Sequence, residues 1–269
     1  MGHYNKIEIK MKTQNYTPIT KNTANRQYSI LFSFFAIALI LLTSCDPLEI
    51  RTCMNGNNHV MTETRWVGSD INQWVSEIDA DMQIIVSNER AGEVEITAES
   101  NILSSIVLDE RNGKVEVISS SCWRHYEPIR INVFVSEDLR EVTQAGAGTL
   151  EVIGQLTAPS IDINMTGTGE IWTDINAEEI DVLISGSGNV HLSGTSGKLK
   201  SCISGAGDIK GFNLKTEIAD IIITGSGDVE TSVNSYLDIL IEGSGIVFYK
   251  GTPEIHATTL TSGSVIKVN

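Results

Sequence analysis

Basic side chains are scarce in this sequence. Its 269 residues hold 19 Lys and Arg against 34 Asp and Glu, a formal net charge of −15 at pH 7. Phosphate backbones are bound through cations that displace counterions, so the imbalance argues against nucleic acid and favours a cation or a basic protein as partner. Histidine and cysteine are also few. The five histidines (His3, His59, His125, His191, His256) are scattered, and the four cysteines (Cys45, Cys53, Cys122, Cys202) form no Cys-x-x-Cys. No His pair stands at zinc spacing, so no structural metal site is assigned. There is no Gly-x-Ser-x-Gly elbow, no His-Glu-x-x-His and no P-loop, and the acidic residues are spread out rather than clustered. No catalytic residue is assigned, and the chain reads as a non-enzyme.

Long apolar runs are missing after residue 44: no segment from Asp46 to Asn269 has the roughly 20 apolar residues that a bilayer span needs. One shorter run precedes it. Ser29 to Leu42 (SILFSFFAIALILL) is uncharged and matches the h-region of a signal peptide, with Lys12, Lys21 and Arg26 as the basic n-region. Met11 opens a more ordinary signal peptide than Met1, which reads residues 1–10 as a misplaced start. The run ends at Leu42-Thr43-Ser44-Cys45, which resembles a bacterial lipobox with Cys45 as the acylated residue. The alternative is an ordinary cleavage site with an incidental cysteine. A diacyl or triacyl group supplies the more-than-one chain that stable anchoring takes. The expectation is a signal peptide over 1–44, a lipidated N-terminus and tether over 45–65, and display on the bacterial cell envelope, at the periplasmic or surface face of the outer membrane. Removing residues 1–44 takes five of the 19 basic and one of the 34 acidic residues, leaving 14 against 33 and a net charge of −19. Export permits a disulfide, and Cys53 with Cys122 is the preferred pair, since both lie in the less regular first half.

Glycine is plentiful, and it is periodic. A small residue, Gly, a small residue and Gly recur before a turn-tolerant and an aliphatic residue, as in Ser185-Gly186-Ser187-Gly188-Asn189-Val190 and Ser204-Gly205-Ala206-Gly207-Asp208-Ile209. The first glycines stand at 146, 167, 186, 205, 225 and 243, steps of 21, 19, 19, 20 and 18, with a degenerate seventh copy at Thr261-Ser262-Gly263-Ser264-Val265-Ile266. A period near 19 is too short for helical-hairpin repeats and suits one coil of a β-helix. The prediction is an all-β fold: a parallel, right-handed β-solenoid over 143–269 with a strand-rich cap over 66–142. Seven coils would make a rod of roughly 34 Å.

The segments before each Gly-x-Gly alternate with period two. In register, Ile161, Ile163 and Met165 stack under Ile180, Val182 and Ile184, then Leu199, Ser201 and Ile203, Ala219, Ile221 and Ile223, and Leu237, Ile239 and Ile241. Asp162, Asp181, Lys200, Asp220 and Asp238 then face water, and a one-residue slip would bury that whole charged column. Leu150, Ile171, Val190, Ile209, Val229, Val247, Ile266 and Val268 are expected inside the following strand. The corner glycines are expected at positive φ. In the cap, Asn112-Gly113 marks a hairpin, and Trp66, Trp74 and Trp123 are read as core.

Two features together resemble a known group. They are Ile78-Asp79-Ala80-Asp81-Met82-Gln83-Ile84-Ile85-Val86 followed by Val94-Glu95-Ile96, and the ladder GSGNV, GAGDI, GSGDV. From about Trp74 to Val268 the chain is similar to the putative auto-transporter adhesin, head GIN domain family, found in lipoproteins of Bacteroidetes. The resemblance implies a β-helical fold, an envelope location and cell adhesion, and brings no catalytic residues.

Three columns are candidate sites. Glu170, Asn189, Asp208 and Asp228 at one corner read either as turn chemistry or as a Ca²⁺ ladder; no other cofactor is expected. Leu183, Cys202, Ile222 and Leu240 form an outward apolar column, either an interface or a surface tucked under a neighbouring loop. Trp172, His191 and Phe248 share an outward column that could stack on sugar rings. The leading reading is an adhesin-type module binding an envelope or host surface protein or glycan. The alternatives are a glycan-processing β-helix enzyme and a structural or signalling component that binds another membrane protein. No oligomeric state follows from these columns.

Overall fold

The computed structural model describes residues 53–269; the expected signal peptide, the lipobox-like stretch and Cys45 fall outside them. The first half runs through strands β1 (Met54–Asn55), β2 (Val60–Trp66), β3 (Gln73–Ser76), β4 (Asp81–Val86) and β5 (Glu93–Glu99). A single helical turn, α1 (Ser100–Leu103), leads to β6 (Ile106–Arg111), β7 (Lys114–Ser119), β8 (Trp123–Arg124), β9 (Arg130–Val135) and β10 (Glu141–Gln144). Five long bent strands follow: β11 (Thr149–Met165), β12 (Glu170–Ile184), β13 (Asn189–Ile203), β14 (Ile209–Ile223) and β15 (Val229–Ile241). The chain closes with β16 (Ile246–Gly251), β17 (Glu254–Thr259) and β18 (Ser264–Lys267).

Strands β10 to β18 pair in parallel from coil to coil and make a β-solenoid of about seven turns. Ile161, Ile180, Leu199, Ala219 and Leu237 are aligned partners, and so are Met165, Ile184, Ile203, Ile223 and Ile241. All ten are buried. Each fully buried aliphatic side chain contributes about 1.5–3 kcal/mol, and most inward positions of the coils hold one, with buried Thr173, Ser201, Thr216 and Thr231 among the exceptions. Burial on one face and charge on the other leave a single register.

The glycines at the corner are there for a different reason from the one expected. None of the Gly-x-Gly pairs has a positive φ; Gly154 in β11, Gly194 in β13 and Gly251 at the end of β16 do. At the corner the coils approach so closely that a Cβ on Gly167, Gly186, Gly205, Gly225 or Gly243 would fall on the carbonyl oxygen of the corresponding glycine one coil earlier. Steric exclusion between stacked backbones, rather than backbone conformation, fixes glycine there.

The last repeat is shifted by one residue from the expected register. Val247 pairs with Val265, and Phe248 with Ile266. Val265 therefore takes the inward place, packed against the core, and Ile266 joins the outward column. Without a second glycine before it, this repeat carries no mark that fixes its phase.

The cap contains rungs of the same solenoid, stacked out of sequence order. β3 lies between β7 and β10, and β4 lies between β9 and β11, all in parallel. The chain lays down residues 73–86, leaves to build the rung below them, and returns at β10 to stack above. Antiparallel pairs β2–β5, β5–β9 and β6–β7 close the end, where open strand edges would otherwise template association. Asn112 (φ 53) and Gly113 (φ 78) both take positive φ, as a two-residue hairpin of this kind requires.

Trp74 is fully buried, but Trp66 is 69% exposed at the end of β2, an edge strand, and so is not core. The tether expected over 45–65 also ends sooner. From Met54 the chain is part of the fold: Met54 and Asn55 pair with Trp123 and Arg124. The buried Glu99 carboxylate accepts hydrogen bonds from the Asn58 N–H and, at 3.1 Å, the Glu127 N–H.

Candidate binding faces of the solenoid

At the Gly-x-Gly corner the side chains form a relay between coils. Asn189 Oδ1 accepts the Asp208 N–H at 3.1 Å, Asp208 Oδ1 accepts the Asp228 N–H at 2.8 Å, and Asp228 Oδ1 accepts the Ile246 N–H at 2.7 Å. These amides have left the strand ladder at the bend, and the side chain one coil earlier satisfies them. Asp208 Oδ2 also lies 3.1 Å from Lys210 Nζ. Asn189, Asp208 and Asp228 thus each accept one backbone amide at the turn, whereas Glu170 accepts the Trp172 Nε1–H at 2.9 Å. Among the described residues, no group of three His, Cys, Asp or Glu side chains is placed to hold a metal ion.

On the outer face of the strand before each corner, Asn164, Leu183, Cys202, Ile222 and Leu240 align in one column. Leu183 and Ile222 are each 41% exposed, while Cys202 between them and Leu240 beyond Ile222 are half-buried. Two residues back along each strand runs a second column: Glu141, Asp162, Asp181, Lys200, Asp220 and Asp238. Lys200 is its one lysine. It pairs with Glu179 and lies 3.9 Å from Asp181 Oδ1, and Lys198 pairs with Asp220 at 2.5 Å. Burial raises the carboxyls of Asp162 and Asp181 above the ordinary range; Glu141 and Glu179 push Asp162 further up, whereas Lys200 opposes the rise at Asp181. The columns from Glu141 to Asp220 and from Asn164 to Ile222 line one groove, with Val182 and Ser201 between them.

On the strand after each corner the outward column reads Glu151, Trp172, His191, Lys210, Glu230, Phe248, Ile266. Trp172 and His191 are neighbours and stack, whereas Phe248 stands three coils beyond His191 and is separated from it by Lys210 and Glu230. The three residues expected to act together on a sugar are therefore not one patch. Each ring of the stacked pair also covers one face of the other, leaving less ring face open than three independent aromatics would.

Residues 77–253 match the family described as putative auto-transporter adhesin, head GIN domain. The chain belongs to this family. Among solved structures, a putative adhesin from Bacteroides fragilis is similar with a TM-score of 0.75 at 20% identity, covering 80% of this chain and 100% of that one. A putative lipid binding protein from Parabacteroides distasonis gives 0.66 at 21% identity, covering 80% and 99%. A putative adhesin from Parabacteroides merdae gives 0.61 at 20%, again over 80% and 99%. At these identities the likeness establishes the fold. No curated protein matches the chain in sequence.

This head GIN domain carries one aromatic that the repeat pattern hides. Phe212 joins Trp172, His191, Lys210, Glu230 and Lys250 around a second groove, with Lys250 Nζ 4.4 Å from the centre of its ring. It reaches the surface at an irregularity: His191 pairs with Lys210 but Ser193 with Asn213, so one extra residue is accommodated there. The step of 20 between Gly205 and Gly225 is its trace in the sequence.

The cysteines of the domain divide by environment. Cys53 and Cys122 are each disulfide-bonded. Cys202 is free, and burial pushes its thiol up from the ordinary range. Among the described residues, no helix is long and apolar enough to cross a membrane.

Proposed function

We propose that this protein is an adhesin-type binding module, lipid-anchored through Cys45 to the bacterial envelope, which takes a protein or glycan on the outer face of its solenoid. The observation that carries the reading is the open apolar column. Leu183 and Ile222 spend 41% of their surface on water with nothing folded over them among the described residues, although every coil could have placed a polar residue there. Contiguous apolar surface of this kind marks interaction sites. The lipobox at Leu42 to Cys45 and the apolar run before it support anchoring.

The chain from Asp46, applied to glycan and protein arrays, should bind a restricted set of probes. Leu183→Asp/Ile222→Asp protein should keep the wild-type circular dichroism and lose that binding. Full binding by a normally folded double variant overturns the reading. Anchoring is checked separately: cells fed an alkynyl fatty acid should label the wild-type protein and not Cys45→Ser.

A further inference from the structure

The apolar and acidic columns run side by side up one face, two residues apart on each strand from β12 to β15. We infer that this face takes a basic amphipathic helix of another protein, lying along the solenoid axis. Its apolar stripe rests on Leu183, Cys202, Ile222 and Leu240, and its Lys or Arg side chains reach Asp162 and Asp181, since Asp220 already pairs with Lys198 and Asp238 with His256. The inference rests on the reading above and deepens it by naming the partner's chemistry.

Pitch selects the helix. The coils rise by about 4.8 Å, and an α-helix repeats its apolar stripe about every 5.4 Å, so across the four rungs the two ladders drift by only about 2 Å. An extended strand, presenting one face about every 6.7 Å, would drift by about 6 Å and lose the column. Charge selects its sign. The acidic column holds five carboxylates and one lysine, on a chain whose net charge is −15. A second copy of the chain or an anionic lipid surface brings like charge to it, whereas lysine and arginine complement it. Asp162, partly desolvated and facing Glu141 and Glu179, gains most from a charge-assisted hydrogen bond to a partner, and Asp181, partly desolvated beside Lys200, gains less.

The test uses the chain from Asp46, which carries every described element of the fold, and three labelled synthetic peptides: a helical Leu/Lys amphipath, its Leu/Glu counterpart and a scrambled Leu/Lys sequence. The Leu/Lys helix should bind; the scrambled peptide should bind at least about tenfold more weakly, and the Leu/Glu helix not at all. Leu183→Ser/Ile222→Ser should weaken binding about tenfold and Asp162→Asn/Asp181→Asn about fivefold, and added salt should weaken it further. Glu151→Gln/Glu230→Gln, which removes the same charge from the other sheet, should leave it unchanged. The inference is overturned if that control pair weakens binding as much as the Asp162/Asp181 pair, or if Leu183→Ser/Ile222→Ser binds as wild type. If no basic helix binds while the arrays still return a probe that depends on Leu183 and Ile222, the helix assignment fails and the binding-module reading stands. If the array probe ignores those residues, that reading fails first.

Discussion

Trp172 and His191 lie on adjacent coils with their ring centroids 3.5 Å apart and their planes 4° from parallel. The solenoid sets this geometry, since aligned outward positions of successive coils are held at the spacing of paired strands. A stacked aromatic pair of this kind is worth about 0.5–1.5 kcal/mol beyond the area it buries.

Burial holds the His191 imidazole below its ordinary value of 6.5, with Lys210 acting in the same direction and Glu170 and Glu230 against it. The unfolded chain therefore takes up this proton at a higher pH than the folded one. The stabilisation is complete above about pH 6.5 and is lost as the pH falls through the folded value. Thermal unfolding from pH 7 to pH 5 should show a larger loss of Tm for wild type than for His191→Phe, accompanied by a change in Trp172 fluorescence. Equal losses would show that the imidazole does not contribute.

The two kinds of glycine should respond differently to a methyl group. Gly205→Ala sets a Cβ against the Gly186 carbonyl oxygen, and stacked backbone on both sides cannot yield. Gly154→Ala meets nothing nearer than the Val86 Cβ at 3.7 Å and suffers only from its φ of 99°, a penalty of about 1–2 kcal/mol. Denaturant titration should rank Gly205→Ala well below Gly154→Ala. The reverse order would restore backbone conformation as the reason for the Gly-x-Gly corner.

The corner relay makes a prediction about calcium as well as stability. Asp208→Ala leaves the Asp228 N–H without its acceptor and should cost about 1–2 kcal/mol, while Asp208→Asn keeps an oxygen in place and should be near neutral. Millimolar calcium should leave the Tm of all three proteins unchanged. A calcium-dependent rise in wild type that disappears in Asp208→Ala would assign the column to metal binding instead.

Register was legible wherever two signals coincided. Between Ile161 and Ile241 the glycine spacing fixed the coil length, and the charged column Asp162, Asp181, Lys200, Asp220, Asp238 fixed the phase, so both ladders and the apolar lane could be read from letters alone. At Ile266 only one signal was left and the phase slipped by one. Phe212 escaped because an extra residue in one coil moves a side chain to the surface without changing the local composition. The stacking of β3 between β7 and β10 was not legible either, because non-sequential pairing leaves no period in the chain. Trp66 looked like core from its residue type, but exposure there is set by its place on an edge strand.

Cys202 offers the most direct test of the apolar lane, since it stands between Leu183 and Ile222 and is the free thiol among the described residues. The chain from Asp46, saturated with its array probe at pH 8.5, should be alkylated by iodoacetamide at Cys202 at least about tenfold more slowly than the unbound chain, because a partner seated on the column removes the thiol from solvent. An alkylation rate unchanged by saturating probe would place recognition elsewhere on the molecule and contradict the account.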